Sequence, residues 1–143
     1  MKSIHKKSLA RLAAVQSIYQ SSLVGGSVEE LVATFREHFQ AEMLEALNAK
    51  KYDASFFEEL LHGVHENLEA IDILIGDNLP ESWSISRLDG VLKAILRAGV
   101  FEIKYSGIDF PIVMNEYINI THMFHGGKEP GFVNALLHKI SIG

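Results

Sequence analysis

Apolar residues recur at helical spacing almost from end to end of this chain. Leu12, Val15, Tyr19 and Leu23 are separated by steps of three, four and four, which predicts a helix from about Lys6 to Leu23. Gly25-Gly26 stops it. Ser27 and Glu30 then have capping-box spacing, opening a second helix that runs to about Leu47 with Leu31, Phe35, Phe39 and Met43 on one face. After a polar break from Asn48 to Asp53, Ser55 and Glu58 offer a second box. The helix behind it reaches about Gly76 with Phe57, Leu60, Leu61, Val64, Leu68 and Ile71 inward. Asp77-Asn78-Leu79-Pro80 is the clearest boundary, because proline disfavours helix at the residue before it. Trp83, in the bridge that follows, is expected to pack inward.

Beyond the boundary lies the strongest apolar helix, about Leu88 to Tyr105. Asp109-Phe110-Pro111 opens another, with the proline in the first turn where its missing N–H costs nothing, and that helix ends at Phe124. A polar Gly-rich loop, Gly126 to Gly131, precedes a last helix from Phe132 to about Ile140. The predicted fold is all-α, with about six to seven helices in two packed bundles, 1–77 and 80–143. Arg97 and Glu116 fall in the middle of neighbouring apolar helices. Either would be costly to bury alone, so they are expected to pair.

Composition narrows the function classes. With 143 residues and 48% apolar side chains the chain can build a sizeable core. It has no cysteine, which excludes a disulfide scaffold, a thiol nucleophile and a cysteine-ligated zinc. No apolar run approaches a membrane span, and no signal-peptide pattern follows Met1, so the expected compartment is the cytoplasm. The net charge of −5 conceals an asymmetry. The first 28 residues hold Lys2, Lys6, Lys7 and Arg11 and no acid, while the other 115 hold nine cations and 18 acids. A cationic arm on an anionic body is an electrostatic footprint for nucleic acid.

Catalytic and metal chemistry find little support. His62 and His65, and His122 and His125, stand three apart on predicted helices, and Glu59 with His62 matches half of a di-iron motif. The second half is missing, and these read as ordinary helix histidines. There is no nucleophile elbow and no phosphate-cradling Gly-x4-Gly-Lys pattern. No catalytic residue, metal or cofactor is expected.

The arm differs because it continues into a helix. Lys7 and Arg11 are four apart and project on one face, with Gln16 roughly a turn further on. Lys2, Lys6 and Lys7 could neutralise phosphates while Arg11 and Gln16 hydrogen-bond base edges. His5 would add a charge below about pH 6.5. Phe132, next to a loop bearing Lys128, is a candidate for base stacking and equally a core residue at the start of the last helix.

Four stretches in this order carry a resemblance. They are Ala10-Arg11-Leu12 through Gln16 to Tyr19; Arg87-Leu88-Asp89 through Ile95-Leu96-Arg97 to Glu102; Val113-Met114-Asn115-Glu116-Tyr117; and Phe132-Val133-Asn134. Together with Trp83 they resemble the NusB family of transcription antitermination factors. The resemblance implies a non-enzymatic protein that binds a boxA-type element of nascent ribosomal RNA with the ribosomal small-subunit protein NusE and joins an RNA polymerase antitermination complex. It places Lys2, His5, Lys6, Lys7, Arg11, Lys128 and Phe132 near RNA, and Tyr19, Val91 and Glu102 on the NusE side. This arm has lysines where relatives often have arginines, and lysine lacks the bidentate fork. Lys128 stands where some relatives have an acid. A homodimer that hides the arm is left open. The competing readings are a recognition domain like those preceding ribosomal RNA methyltransferases, and a helical protein-interaction adaptor that binds no RNA.

Overall fold

The computed structural model describes residues 4–143, and among these there are eight α-helices and no strand. The helices are α1 (Lys6–Val24), α2 (Val28–His38), α3 (Gln40–Ala46), α4 (Ala54–Glu66), α5 (Leu68–Asn78), α6 (Gly90–Phe101), α7 (Phe110–Phe124) and α8 (Glu129–Ile142). A short 3-10 turn (Ile85–Arg87) precedes α6, and one π turn (Glu102–Ser106) follows it. None of the described helices is long and apolar enough to cross a membrane.

The count exceeds six to seven because two predicted helices are each broken. The one expected from Ser27 to Leu47 turns at Phe39, whose φ of −126° leaves the helical region. Its predicted start holds: Ser27 accepts from the Glu30 N–H, and Glu30 reaches back to the Ser27 N–H. The helix expected to reach Gly76 breaks at Asn67, whose side-chain amide donates to the Gly63 carbonyl at 2.8 Å and so competes with the regular ladder. Its cap is not Ser55. Asp53 accepts from the Phe56 N–H at 2.9 Å and starts α4 two residues earlier than a Ser55 cap would. Helix α8 likewise opens early, at Glu129, with Pro130 in its first turn.

Two further expectations are corrected. Arg97 pairs with Asp72 of α5, through two hydrogen bonds of 2.9 and 2.8 Å, and not with Glu116. Local spacing placed both side chains on apolar helices, but the packing of α5 on α6 supplies a nearer carboxylate. Trp83 does not pack inward; 49% of it is exposed, because it sits in the connection outside the helical layers.

Helix α1 is the hub. Leu9 through Val15 are all buried, so this stretch is enclosed on every side and not simply amphipathic. Ala10, Ala13 and Ala14 are fully buried, and their small side chains let α4 and α6 approach closely. Helix α6 packs in turn on α5, α7 and α8, and one core runs through all of them. The crossing of α4 and α6 depends on Gly63. A Cβ there would lie 2.1 Å from the Phe101 ring.

A residue larger than glycine at 63 therefore forces Phe101 out of its place. Gly63→Val is expected to lower stability by about 1–3 kcal/mol, read as a fall in the urea midpoint. Combining Gly63→Ala with Phe101→Leu should cost less than the two single changes added together, since the smaller side chain vacates the contested space. Simple additivity would show that the ring does not set this contact.

Candidate nucleic-acid interface

The arm is displayed by the first turn of α1. His5 is the N-cap, and its Nδ1 accepts from the Lys7 N–H at 3.1 Å. Lys6 and Lys7 are exposed, and the Lys7 Nζ lies 5.2 Å from the centre of the Phe56 ring. Lys2, also expected to contact RNA, lies outside the described residues. His5 holds its cap only through an unprotonated Nδ1, since an imidazolium has no acceptor. Any charge it gains for RNA therefore competes with capping.

Arg11 does not stay on this surface. It is 3% exposed, and the face it shares with Lys7 descends along the helix from solvent into the core. Its Nε and one terminal nitrogen grip both oxygens of Glu102 at 2.8 and 2.9 Å, and its other terminal nitrogen lies 3.3 Å from Glu116. Tyr117 donates its hydroxyl to Glu102, and Ser8 donates to Glu116 at 2.8 Å. Burial by itself would lower the Arg11 pKa, but the hydrogen bond and charge of Glu102 outweigh it and hold the guanidinium ionised. Every N–H that could read a base is thus turned inward. Glu102 is fully buried as well, aimed into the core by the π turn, and has no surface to offer a protein partner.

The remaining candidates fall into two places. Gln16 is half-buried and lines a groove of about 490 Å³ with Tyr19, Val91, Met43, Met123 and Phe124. The structure therefore groups Gln16 with the partner candidates Tyr19 and Val91, and apart from the lysines. Tyr19 is held there by Gly90, where a Cβ would come within 2.7 Å of its ring. Lys128 and Phe132 line a separate cleft of about 510 Å³ with Trp83, Arg87, Asp89 and Glu129. The end of α7 links these regions. His5 and Met123 border one hollow, Met123 and Phe124 border the groove, and His125 reaches Asp89 of the cleft at 3.1 Å.

Two exposed cations were not anticipated. Lys50 and Lys51 sit in the loop before α4, and the Asp53 N–H donates to the Lys6 carbonyl at 3.2 Å. That bond brings the loop against the start of the arm. Nothing local marks it in the sequence, where the two Lys pairs are far apart. Among the described residues, no three His, Asp or Glu side chains are grouped so that they could hold a metal. His62, His65 and His122 are exposed.

The NusB family model matches residues 8–141. The chain belongs to the NusB family. It is 39% identical over 142 residues to the transcription antitermination protein NusB of Sinorhizobium medicae, covering 99% of this chain and 89% of that one. It is 39% identical over 139 residues to the NusB of Caulobacter vibrioides, covering 96% and 93%. Among solved structures, the fold is similar to that in a crystal structure of the antitermination factors NusB and NusE in complex with dsRNA. The TM-score is 0.77 at 27% identity, over 96% of both chains. It is also similar to T. maritima NusB, with a TM-score of 0.72 at 26% identity over 99% and 93%. In this NusB-family chain the arm, cleft and groove are thus presented by a fold common to antitermination proteins.

Two outcomes test the buried cluster. Arg11→Met leaves Glu102 buried without its partner and is expected to cost about 3–5 kcal/mol in urea unfolding. A loss of RNA affinity without loss of stability would instead return Arg11 to the surface. Tyr117 is fully buried, and burial, then the adjacent Glu102 charge, push its phenol well above the ordinary range. The folded state therefore keeps this proton more tightly than the unfolded chain, so the stabilisation is complete below about pH 10 and is lost above it. Tyr117→Phe should flatten the alkaline fall in the urea midpoint; an unchanged slope would assign it to Tyr52, whose pKa burial also raises.

Proposed function

We propose that this chain is a non-enzymatic, RNA-binding transcription antitermination factor. It takes up a boxA-type element of nascent ribosomal RNA together with the ribosomal protein NusE and joins the RNA polymerase antitermination complex. The observation that carries this reading is the likeness, along 96% of both chains, to a NusB solved with NusE and dsRNA. The exposed cations at the head of α1 agree with it, on a body whose net charge would otherwise repel a polyanion.

In this reading Lys2, Lys6 and Lys7 bind phosphates, while Lys50 and Lys51 stand in the neighbouring loop and are not counted among the phosphate contacts. His5 sits among these charges as the cap of α1. Lys128 and Phe132 meet the RNA at the cleft. Tyr19, Gln16 and Val91 form the apolar side that takes NusE. Arg11 and Glu102 act from within: they fix α1 against the π turn and α7, and so hold the arm in one orientation. No group here needs to make or break a bond.

Single-stranded RNA loses affinity with salt at about 0.7 log units per neutralised phosphate per log unit of salt. Lys2, Lys6, Lys7 and Lys128 together predict a slope of about −2.8 for a boxA-type oligonucleotide followed by fluorescence anisotropy. Lys6→Ala/Lys7→Ala should bring that to about −1.4 and weaken binding with and without NusE. A flat salt response would remove the arm from the interface. Failure to retain the RNA at low salt, alone or with NusE, would reject the antitermination reading.

A further inference from the structure

The tryptophan at position 83 is out of place. It is the only tryptophan of the chain, and roughly half of its surface faces solvent. It is nonetheless held in position. Its backbone N–H donates to the Pro80 carbonyl at 2.9 Å, and the following residues are tied by turns, with the Arg87 backbone N–H on the Ser84 carbonyl at 3.1 Å. Its ring lies 5.2 Å from that of Phe132, tilted by 35°, so two aromatic side chains from different segments make one step at the edge of the cleft. The paired rings offer a flat apolar face, of the kind on which a planar ligand can lie.

The charges around the step indicate the chemistry of that partner. Arg87 and Lys128 line the cleft, are exposed, and make no ion pair among the described residues. Asp89 and Glu129 line it too, so the four charges cancel. A bare phosphate gains nothing there overall, and a hydrophobic peptide would have to desolvate all four groups. A flat, uncharged ring that trails a single phosphate suits the site: the ring lies on the aromatic face, and the phosphate reaches Arg87 or Lys128.

We propose that Trp83, stepped against Phe132, is the stacking platform for one unpaired base of the bound single-stranded RNA, with Arg87 and Lys128 holding its phosphate. This rests on the RNA-binding reading above and adds two residues, Trp83 and Arg87, to it. Stacking requires a base with an open π face. Bases paired inside a duplex have no open face, so duplex RNA held along its backbone leaves the platform empty.

Because the chain has a single tryptophan, its emission reports this site and no other. The experiment titrates the full chain with a boxA-type single strand and with a blunt duplex of the same sequence, recording anisotropy of the labelled RNA and tryptophan emission together. Expected are quenching by the single strand that follows the anisotropy curve, and binding of the duplex without quenching. Trp83→Leu should weaken single-strand binding by about 5- to 150-fold, while Trp83→Tyr, which keeps a π face, should recover most of it. Thermal melting of both variants checks that the fold is kept. Capture of the single strand with unchanged emission, equal quenching by duplex, or wild-type affinity in Trp83→Leu overturns this site alone. Absence of any capture in the anisotropy channel, with NusE added as well as without it, rejects the RNA-binding reading beneath it.

Discussion

The joint on which this structure turns is a guanidinium buried against a carboxylate. Arg11 on α1 and Glu102 in the π turn are both withdrawn from water and meet through two parallel hydrogen bonds. Such a pair offsets its desolvation only if its geometry is good and its spare lone pairs are used. Both conditions are met here. Tyr117 occupies Glu102, and Glu116 with Ser8 completes the shell. No buried side-chain polar atom among the described residues is left without a partner. An apolar contact could slide along a helix surface, whereas this fork fits in one register only. It therefore fixes α1 in rotation and depth against α6 and α7.

That constraint separates two uses of positive charge on one helix. Lys7 and Arg11 lie on the same stripe and even share the Phe56 ring, at 5.2 and 5.0 Å. Lys7 is at the solvent end and Arg11 at the buried end. The inner cation anchors the helix, and the outer ones are presented to the surroundings. Substituting lysine at the inner position would not be conservative, since a point charge cannot satisfy two carboxylate oxygens at once. At the outer positions no such fork is required, because the exposed Lys6 and Lys7 hold no carboxylate pair in place.

What could be read in advance follows the range of the interaction. The Ser27–Glu30 box, the Asp109-Phe110-Pro111 start and the extent of α1 and α7 depend on neighbours within one turn, and were legible. So was the four-part pattern that placed the chain in its family. Features that depend on which helix lies opposite were not. Arg97 had carboxylates available on several elements, and only the packing of α5 on α6 selects Asp72. Asp53 and Ser55 are both competent caps, and the tie from Asp53 to Lys6 sets the loop so that the earlier one acts. Arg11 reads as surface charge because nothing within its own turn neutralises it; its partners come from α7 and the π turn. For Trp83, size suggested burial, but in the connection it packs on Phe132 of α8 with about half of its surface left open.

These corrections change where specificity must reside. Once Arg11 is turned inward, the described part of the arm offers lysines and a capping histidine. These attract a polyanion of any sequence and cannot distinguish bases through bidentate contacts. Gln16, the other intended reader, borders the apolar groove. On the proposed reading, a preference for RNA with an open base over another anion would come from a flat apolar face, which the Trp83–Phe132 step offers beside Arg87 and Lys128. Under the proposed function the arm would set how strongly and how salt-sensitively RNA is captured. Under the proposed stacking site the cleft would favour an RNA with an unpaired base over a duplex or another polyanion, without distinguishing which base it is.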